Sequence, residues 1–383
     1  MEIPKPFEKK IIASPKDFLP SREDFKVIGA FNPGVTTIKT EQGLETILFA
    51  RVAESPLEKI PGKILLPYFK ILNEEQSIPK IDYDIIDEKE FKTINEKEAF
   101  PKIGPCRLRF VSLPKMMILN NNREISSTAQ NPAIYPSWKF DKYGLEDVRI
   151  TNFEDGTYII TYVTPHDEFG VGSSILTTKK IKESFDLERI TSDNTPRPEI
   201  IGKDVAIFPT KVPSPSKTTI IDKNNPVYAS FIRPNAFSGL STPGIWISYS
   251  PDLVHWGQNH RLISSEKGEV TGTGSPPEKR QYGWMAAYHE TTRNNKGKTK
   301  YVTKLMTLDL DEPWKVLHKS PVLLNREDFR DILPEDGFVP DTVFTTGMVI
   351  DGERTDFYQG IDDQWTTLAS FYTKDIDKFA QKK

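Results

Sequence analysis

Short runs in which apolar residues alternate with polar ones recur along the whole chain, each after a Gly, Asp or Asn turn. Such alternation over four to eight residues predicts β-strands with one buried face. Thirty prolines are scattered through the sequence, and they argue against long helices because proline breaks a helix interior. Five recurrences of the pattern stand out, at residues 42–51, 155–162, 225–233, 282–290 and 351–360.

The later recurrences are separated by roughly 55 to 70 residues, which is room for one four-stranded antiparallel sheet each. Five such units predict an all-β fold, a five-bladed β-propeller, with a large β-sandwich as the alternative. We expect a single domain over residues 1–383. The stretch at about 54–102 is richer in Lys, Glu and Pro, and predicts an insertion after the first unit. The stretch 373–383 predicts a short C-terminal helix or a tail.

Composition excludes several classes of protein. The 383 residues are 37% hydrophobic and carry a formal net charge of −3, with no basic block. A sizeable core is therefore possible, and a nucleic-acid surface is not expected. The single cysteine, Cys106, rules out a disulfide within the chain.

Targeting and cofactor signals are equally sparse. No stretch of 18 apolar residues predicts a membrane span, and the N-terminus has no cationic start followed by an apolar run. We therefore expect a cytoplasmic protein without a membrane partner. The five histidines lack metal-ligand spacing, and no nucleotide or flavin motif occurs, so no metal or cofactor is predicted. The oligomeric state stays open.

Two segments place a carboxylate beside a cation in an apolar, strand-like setting: Asp147 and Arg149 in one, Lys203 and Asp204 in the other. Charges there are costly to bury unless they are paired or face a ligand pocket. A propeller brings residues from distant positions to one central channel. The carboxylates that fall in separate units are Asp147, Asp204, Glu278, Glu290, Asp362 and Asp363. Such a set suits a sugar site, where inversion needs an acid and a base roughly 6.5–9.5 Å apart.

Several motifs together resemble glycoside hydrolase family 130, whose members cleave β-mannosides by hydrolysis or phosphorolysis. They are Phe31-Asn32-Pro33-Gly34, Glu146-Asp147-Val148-Arg149, Lys203-Asp204 ahead of Phe208-Pro209, and Gly360-Ile361-Asp362-Asp363. The resemblance runs from about residue 31 to 369. It implies that Asp147 is the proton donor, acting directly or through a hydroxyl of the bound mannose. It also implies substrate contacts by Asn32, Arg51, Arg149, Lys203, Asp204, Arg233, His289 and Asp363.

The chain departs from the family's phosphorylases at four places. Gly170-Val171-Gly172 stands where they have Gly-Pro-Arg, and Ile232 stands where they commonly have His. Glu278 and Glu290 stand where they have Ile and Gly. A carboxylate repels phosphate but can activate water as a general base. The sequence therefore favours an inverting hydrolase of β-linked manno-oligosaccharides, with Glu278 or Glu290 as the base.

Other interpretations stay open. A β-mannoside phosphorylase that releases mannose 1-phosphate would use Arg149, Lys203 and Arg233 for phosphate. A non-catalytic carbohydrate-binding propeller and a β-fructosidase or arabinosidase-like enzyme are further alternatives. Each candidate also has a purely structural interpretation. Asp147 with Arg149, and Lys203 with Asp204, would be structural ion pairs. Glu278 would be a solvent-exposed loop residue, Glu290 would end a strand, and His289 would only pack.

Overall fold

The computed structural model of the chain describes residues 2–41, 43–70, 79–136, 140–167, 170–182, 187–190, 199–215, 226–235, 244–266, 269–293, 299–333 and 337–381. The fold is all-β, and the described residues contain one α-helix. The first ten strands are β1 (Glu8–Ala13), β2 (Phe25–Thr40), β3 (Gly43–Pro56), β4 (Lys63–Lys70), β5 (Lys80–Asp87), β6 (Phe91–Ile94), β7 (Glu98–Pro101), β8 (Arg107–Leu108), β9 (Val111–Leu119) and β10 (Ile125–Pro132).

The remaining elements follow the same pattern of short strands. The middle of the chain contains β11 (Glu146–Asn152), β12 (Tyr158–His166), β13 (Gly170–Thr178), β14 (Glu188–Arg189), β15 (Ile200–Ile201), β16 (Lys203–Ile207), β17 (Tyr228–Arg233), β18 (Gly244–Ser250) and β19 (Gly257–Ser264). The last part contains β20 (Thr271–Thr273), β21 (Glu278–Arg280), β22 (Gly283–Arg293), β23 (Thr299–Leu308), β24 (Val316–Lys319), β25 (Val343–Asp351), β26 (Arg354–Ile361), β27 (Trp365–Tyr372) and α1 (Thr373–Gln381). Short 3-10 helices cover Pro15–Asp17, Glu88–Glu90 and Arg326–Phe329.

Most of the described strands belong to five antiparallel sheets of four or five strands. Sheet 1 has the order β10-β9-β3-β2, sheet 2 the order β11-β12-β13-β14 with β15 also on β13, and sheet 3 the order β16-β17-β18-β19. Sheet 4 has the order β20-β22-β23-β24 with β21 also on β22, and sheet 5 the order β1-β27-β26-β25. A β-sandwich would need two large sheets face to face, so this arrangement does not fit that alternative.

The first strands of consecutive sheets lie next to one another. Strand β2 contacts β11, β11 contacts β16, and β16 contacts β20. Strand β25 contacts both β22 of sheet 4 and β2 of sheet 1. The N-terminal β1 pairs with β27, with Lys9 opposite Ala369, so the two ends of the chain share sheet 5. The five sheets therefore follow one another in a closed cycle of contacts.

The described residues of the 54–102 stretch, which we predicted to be an insertion, form structure of their own between β3 and β9. Strands β4 and β5 make a two-stranded sheet, and β6, β7 and β8 make a three-stranded sheet. The buried residues Ile64, Leu66, Phe91 and Ala99 join these two small sheets in one apolar cluster. The segment thus has its own small core.

Three of the first strands contain a β-bulge at the same point of their sheets. The pairing register shifts between Phe31 and Gly34 in β2, between Glu146 and Arg149 in β11, and between Lys203 and Ala206 in β16. Each bulge holds an Asn or Asp with a left-handed backbone: Asn32 at φ 46°, Asp147 at φ 46° and Asp204 at φ 57°. Asn and Asp adopt this conformation more readily than other non-glycine residues. The bulges redirect these polar side chains toward one place.

The core lies between neighbouring sheets, and the C-terminal helix closes one edge. Trp284 of sheet 4 packs against Phe208, which directly follows β16 of sheet 3, with ring centroids 5.1 Å apart. Helix α1 buries Ile376 and Phe379 in the same apolar cluster as Phe371 of sheet 5. The described part of the chain contains no helix long and apolar enough to cross a membrane.

Candidate active site

A cavity of about 210 Å³ lies at the bulges of β2, β11 and β16. It unites residues that are far apart in the sequence, including seven of the predicted site residues. These seven are Asn32, Arg51, Asp147, Lys203, Asp204, Arg233 and Asp363. Its other walls come from Lys97, Glu98, Leu108, Phe110, Glu146, Tyr301, Val339, Thr342 and Phe344.

Asp147 is fixed by two donors from sheet 1. Its Oδ1 accepts hydrogen bonds from Nη1 of Arg51 and from Nδ2 of Asn32, both at 2.8 Å. Burial raises the pKa of Asp147, but the charges of Arg51 and Arg149 outweigh burial and leave that pKa well below its ordinary value. Asp147 is therefore an ionised carboxylate in the free protein.

Arg149 is not the ion-pair partner of the Asp147 side chain. Its Nη1 donates to the backbone carbonyl of Asp147 at 2.7 Å, and its Nε donates to the carbonyl of Gly274. The side chain is 1% exposed, and its guanidinium lies 5.6 Å from the ring centre of Phe344. The backbone thus orients Arg149, and no carboxylate of the described residues contacts its guanidinium directly.

Glu146 is a member of the cavity that the sequence interpretation did not single out. Arg51 binds the Glu146 carboxylate through Nη2 while Nη1 holds Asp147, so one guanidinium bridges two neighbouring carboxylates. Burial raises the pKa of Glu146, and the charge of Arg51 lowers it only in part, so the pKa stays above its ordinary value.

Three cations from sheets 2 and 3 lie close together: Lys203 and Arg233 line the cavity, and Arg149 is buried beside it without lining it. Arg233 of β17 stands directly opposite Lys203 of β16 in the sheet register. Its Nε contacts Oδ2 of Asp204 at 2.6 Å. The charge of Arg233, followed by burial, lowers the pKa of Lys203. These cations repel one another, so the arrangement favours an anion between them.

Several buried polar atoms in the cavity wall or directly behind it have no hydrogen-bond partner among the described residues. They are Oδ1 of Asn32, Oδ1 of Asp204, Nη2 of Arg149 and both ring nitrogens of His289. Buried polar groups are nearly always paired, because an unpaired one costs roughly 1–3 kcal/mol. Donors and acceptors of this mixed kind suit a ligand rich in hydroxyl groups and a bound anion.

His289 lies behind Asp204 rather than in the cavity wall. Its Nε2 is 3.6 Å from Oδ2 of Asp204, and its ring packs against Phe344 with centroids 4.3 Å apart. A side chain at Gly272 would collide with both groups, since an added Cβ would lie 2.1 Å from Oδ2 of Asp204 and 2.6 Å from the His289 ring. Burial lowers the pKa of His289 to about 3, although Asp204 opposes the shift.

Acid is expected to destabilise the protein through His289. Below the ordinary pKa of about 6.5 the unfolded chain takes up a proton that the native state does not bind until about pH 3. The free energy of unfolding should therefore fall by about 2 kcal/mol between pH 7 and pH 5 from this group alone. Urea unfolding of wild type and His289→Gln at both pH values measures the difference. The exposed His255→Gln is the control, and an equal pH dependence of all three proteins would contradict the prediction.

Asp363 meets a residue from the inserted segment. Lys97, which precedes β7, makes an ion pair with Oδ2 of Asp363 in the turn between β26 and β27. Asp363 has a left-handed backbone at φ 50°, as does its neighbour Asp362. Asp362 does not line the cavity. It is buried, and Arg326 Nε contacts its Oδ2 at 2.6 Å.

Glu278, which we predicted to lie beside the phosphate position, does not line the cavity that contains Asp147. It lines a different cavity of about 260 Å³, together with Thr36 of β2 and Thr151 of β11. Those residues are four positions beyond Asn32 and Asp147, which is roughly 13 Å along a strand. Inversion needs roughly 6.5–9.5 Å between the carboxyl groups. Burial raises the pKa of Glu278 to about 7, but this group faces the other end of the strands.

Glu290 also lies outside the cavity, contrary to its predicted role as a base. It is on β22, opposite Thr271 and Val302, and its carboxylate makes an ion pair with Lys304. Its neighbour His289 is 1% exposed and faces Asp204. Because successive side chains on a strand point to opposite faces, Glu290 is turned away from Asp204.

Within the described ranges there is no group of three or more His, Cys, Asp or Glu residues that could hold a metal ion. Most charged residues of the cavity are instead paired with one another: Arg51 with Glu146 and Asp147, Arg233 with Asp204, and Lys97 with Asp363. The arrangement can bind hydroxyl groups through carboxylates and an amide, and an anion through the three cations.

Comparison with known proteins gives a consistent result. Residues 117–382 match the family model of glycoside hydrolase family 130, described as β-1,4-mannooligosaccharide phosphorylase. The chain is 30% identical over 369 residues to a β-1,2-mannobiose phosphorylase of Listeria innocua, covering 93% of this chain and 92% of the relative. It is 28% identical over 240 residues to a 1,2-β-oligomannan phosphorylase of a Thermoanaerobacter species, covering 61% of this chain and 70% of the relative.

A solved structure agrees with the sequence matches. The β-1,2-mannobiose phosphorylase of Listeria innocua, in complex with β-1,2-mannobiose, superposes with a TM-score of 0.78 at 27% identity and covers 97% of each chain. The family model spans more than half of the sequence, and the first relative is similar over nearly its whole length. The chain belongs to glycoside hydrolase family 130.

Proposed function

We propose that this protein is a β-mannoside phosphorylase that cleaves β-1,2-linked manno-oligosaccharides with inorganic phosphate and releases mannose 1-phosphate. The observation that carries the proposal is the pair of cations Lys203 and Arg233 in the wall of a cavity that also contains Asp147, with the charge of Arg149 buried close to both Asp147 and Arg233. The phosphorylase names of the relatives support it, as does the mannobiose bound by the similar solved structure.

The hydrolase interpretation loses its support. It rested on Glu278 and Glu290 as bases near the predicted phosphate position, and both carboxylates lie elsewhere. Among the described residues that line the cavity, every carboxylate except Glu98 of the inserted segment has a cation close by. A cluster of cations lowers the energy of a bound phosphate, whereas water gains nothing from it.

The proposed scaffold is a five-bladed β-propeller in which each of the five sheets is a blade. The closed cycle of contacts from β2 through β11, β16 and β20 to β25 supports it, and β1 would complete the last blade. On this scaffold the bulges bring one polar residue from each of three blades, Asn32, Asp147 and Asp204, to the central channel. The single-domain organisation over residues 1–383 and the cytoplasmic location stay predictions.

Chemically, mannose of the scissile bond would bind at Asn32, Asp204 and Asp363, with phosphate at the three cations. A phosphate oxygen bonds to the anomeric carbon from the face opposite the glycosidic oxygen, and the bond from that carbon to the glycosidic oxygen breaks. The leaving oxygen keeps the electron pair and takes a proton from Asp147, directly or through a mannose hydroxyl. The proton of hydrogen phosphate restores Asp147, so charges and atoms balance and the anomeric configuration inverts.

Phosphate binding also accounts for how an ionised Asp147 can become an acid. The positive charge of Arg149 is one cause of the lowered pKa of Asp147 in the free protein. A phosphate dianion beside Arg149 would cancel that charge and exclude water, and both effects raise the pKa of a carboxyl group. Asp147 would thus take up its proton when phosphate binds.

The test is product analysis after incubation with β-1,2-mannobiose, with and without inorganic phosphate. We expect mannose 1-phosphate and mannose in equal amounts, and only in the presence of phosphate. Free mannose alone, at a rate that does not depend on phosphate, would establish a hydrolase instead. A parallel incubation with β-1,4-mannobiose decides the linkage, because the family description and the two relatives name different linkages.

Glu278→Gln is expected to change the rate by less than about twofold. Removing a general base would lower the rate by roughly 10²–10⁴-fold, but Glu278 lines a cavity that contains none of the proposed substrate ligands. The kcat for β-1,2-mannobiose at saturating phosphate is the measurement, with Glu290→Gln in parallel. A loss above tenfold in Glu278→Gln, with the fold intact by circular dichroism, would restore this residue to the mechanism.

A further inference from the structure

A second, larger concavity adjoins the candidate active site. It is a groove of about 960 Å³ between β2, β3 and the inserted segment. Its walls include Lys26 and Ile28 of β2, Ser55 of β3 and the 58–65 stretch that leads into β4. We call it the insertion groove. None of the residues assigned to substrate or phosphate above lines it.

The insertion groove and the active-site cavity share walls. Phe338 lines the groove, Phe110 lines the cavity, and the two rings pack edge to face with centroids 6.4 Å apart. Neighbouring residues of the chain alternate between the two spaces. Glu96 and Gln364 line the groove, whereas their neighbours Lys97 and Asp363 line the cavity.

The Lys97–Asp363 ion pair therefore lies at the boundary between groove and cavity. The Lys97 side chain is 36% exposed and that of Asp363 is 14% exposed, so the pair is accessible from outside. A ligand that reaches Asp363 in the cavity and continues past Lys97 enters the groove.

The volumes of the groove and the cavity, and the side chains that line the groove, indicate which kind of ligand the groove binds. The cavity, at about 210 Å³, is smaller than the roughly 300–1,000 Å³ of typical ligand sites, whereas the groove is near the upper end of that range. The groove presents apolar side chains such as Ile60 and Ile94 beside charges of both signs, such as Lys59 and Glu96. Charges of both signs do not favour a polyanion. A sugar suits this groove better, because its hydroxyl groups can bind the charged side chains and the apolar faces of its rings can pack against the apolar ones.

We infer that the insertion groove binds the part of a manno-oligosaccharide that extends beyond the bond to be cleaved, so that the protein prefers chains longer than a disaccharide. This inference rests on the proposed function for the identity of the sugar. The inserted segment would then set the preferred substrate length. Each further sugar unit that makes one or two net hydrogen bonds in the groove should strengthen binding roughly two- to tenfold.

Two blocking variants test the inference. Lys26 is exposed on β2 and Ser55 stands opposite it on β3, so Lys26→Trp and Ser55→Trp each fill the groove without touching the cavity. Lys39→Trp is the matched control, since Lys39 is also exposed on β2 but at its other end. Affinities for β-1,2-linked mannobiose and mannotetraose are measured by calorimetry without phosphate, and kcat/KM with phosphate.

We expect wild type and Lys39→Trp to bind mannotetraose about tenfold more tightly than mannobiose, and both groove variants to lose that difference while they bind mannobiose normally. Equal affinity of wild type for the two sugars would overturn the inference. So would a difference that persists in both Lys26→Trp and Ser55→Trp. A tetraose preference without any phosphorolysis would leave the groove in place and refute the proposed function instead.

Discussion

Asp147→Asn is expected to lower kcat for β-1,2-mannobiose by roughly 10²–10⁴-fold, the range that general acid catalysis contributes. Asparagine has nearly the same shape but cannot give a proton to the leaving oxygen. It also tolerates the left-handed backbone at φ 46°, which alanine would strain. Asn32 and Arg51 can still donate to the amide oxygen, so the fold should persist.

The leaving group provides the decisive control for Asp147. A mannoside with a nitrophenyl leaving group needs little protonation, so Asp147→Asn should lose much less activity on it than on mannobiose. Asp341→Asn makes the same change at another left-handed aspartate, at φ 63°, which does not line the cavity, and should keep its rate. An equal loss on both substrates would show that Asp147 binds or positions substrate without donating the proton.

The positions of Asn32, Asp147 and Asp204 could be predicted from short sequence motifs because local geometry places them. Each lies in a β-bulge of a first strand, and a bulge needs only a few consecutive residues to form. The repeated strand pattern likewise predicts the all-β fold, since alternation is a property of neighbouring residues. Structural features that depend only on a few consecutive residues can therefore be predicted from a single sequence.

Glu278 and Glu290 were misplaced because the sequence interpretation followed position in a motif rather than direction of the side chain. Glu290 is one residue from His289, but one residue along a strand is the opposite face of the sheet. Glu278 comes four residues after Gly274, whose carbonyl binds Arg149, and those residues carry it to the other end of the strands. A motif shows which residues are neighbours in the chain, but it does not show the direction in which each side chain points.

Lys97 could not have been assigned to the cavity from the sequence. It is 266 residues from its partner Asp363, and it arrives there only because the inserted segment folds into two small sheets beside sheet 1. Contacts at this separation depend on the tertiary fold and leave no local pattern. The same holds for the insertion groove, whose walls come from the inserted segment, from sheet 1 and from the turns of sheet 5.

Lys203→Met should raise the KM for phosphate by roughly 10- to 100-fold and leave the affinity for mannobiose almost unchanged. A hydrogen bond to a charged group contributes roughly 1.5–3 kcal/mol, and 1.4 kcal/mol corresponds to a factor of ten. Methionine keeps most of the volume of the lysine stem and removes only the cation. The initial rate at varied phosphate and fixed, saturating mannobiose is the measurement.

The effect on phosphate distinguishes a phosphate ligand from a structural cation. If Lys203 only balanced the charge of Asp204, its loss would lower the stability and kcat without changing the KM for phosphate. Arg233 would still hold Asp204 through the contact at 2.6 Å, so a purely structural effect should be small. Lys39→Met, at an exposed position of β2, is the control for loss of one positive charge. An unchanged KM for phosphate in Lys203→Met would remove this residue from the proposed phosphate site, leaving Arg149 and Arg233 to form it.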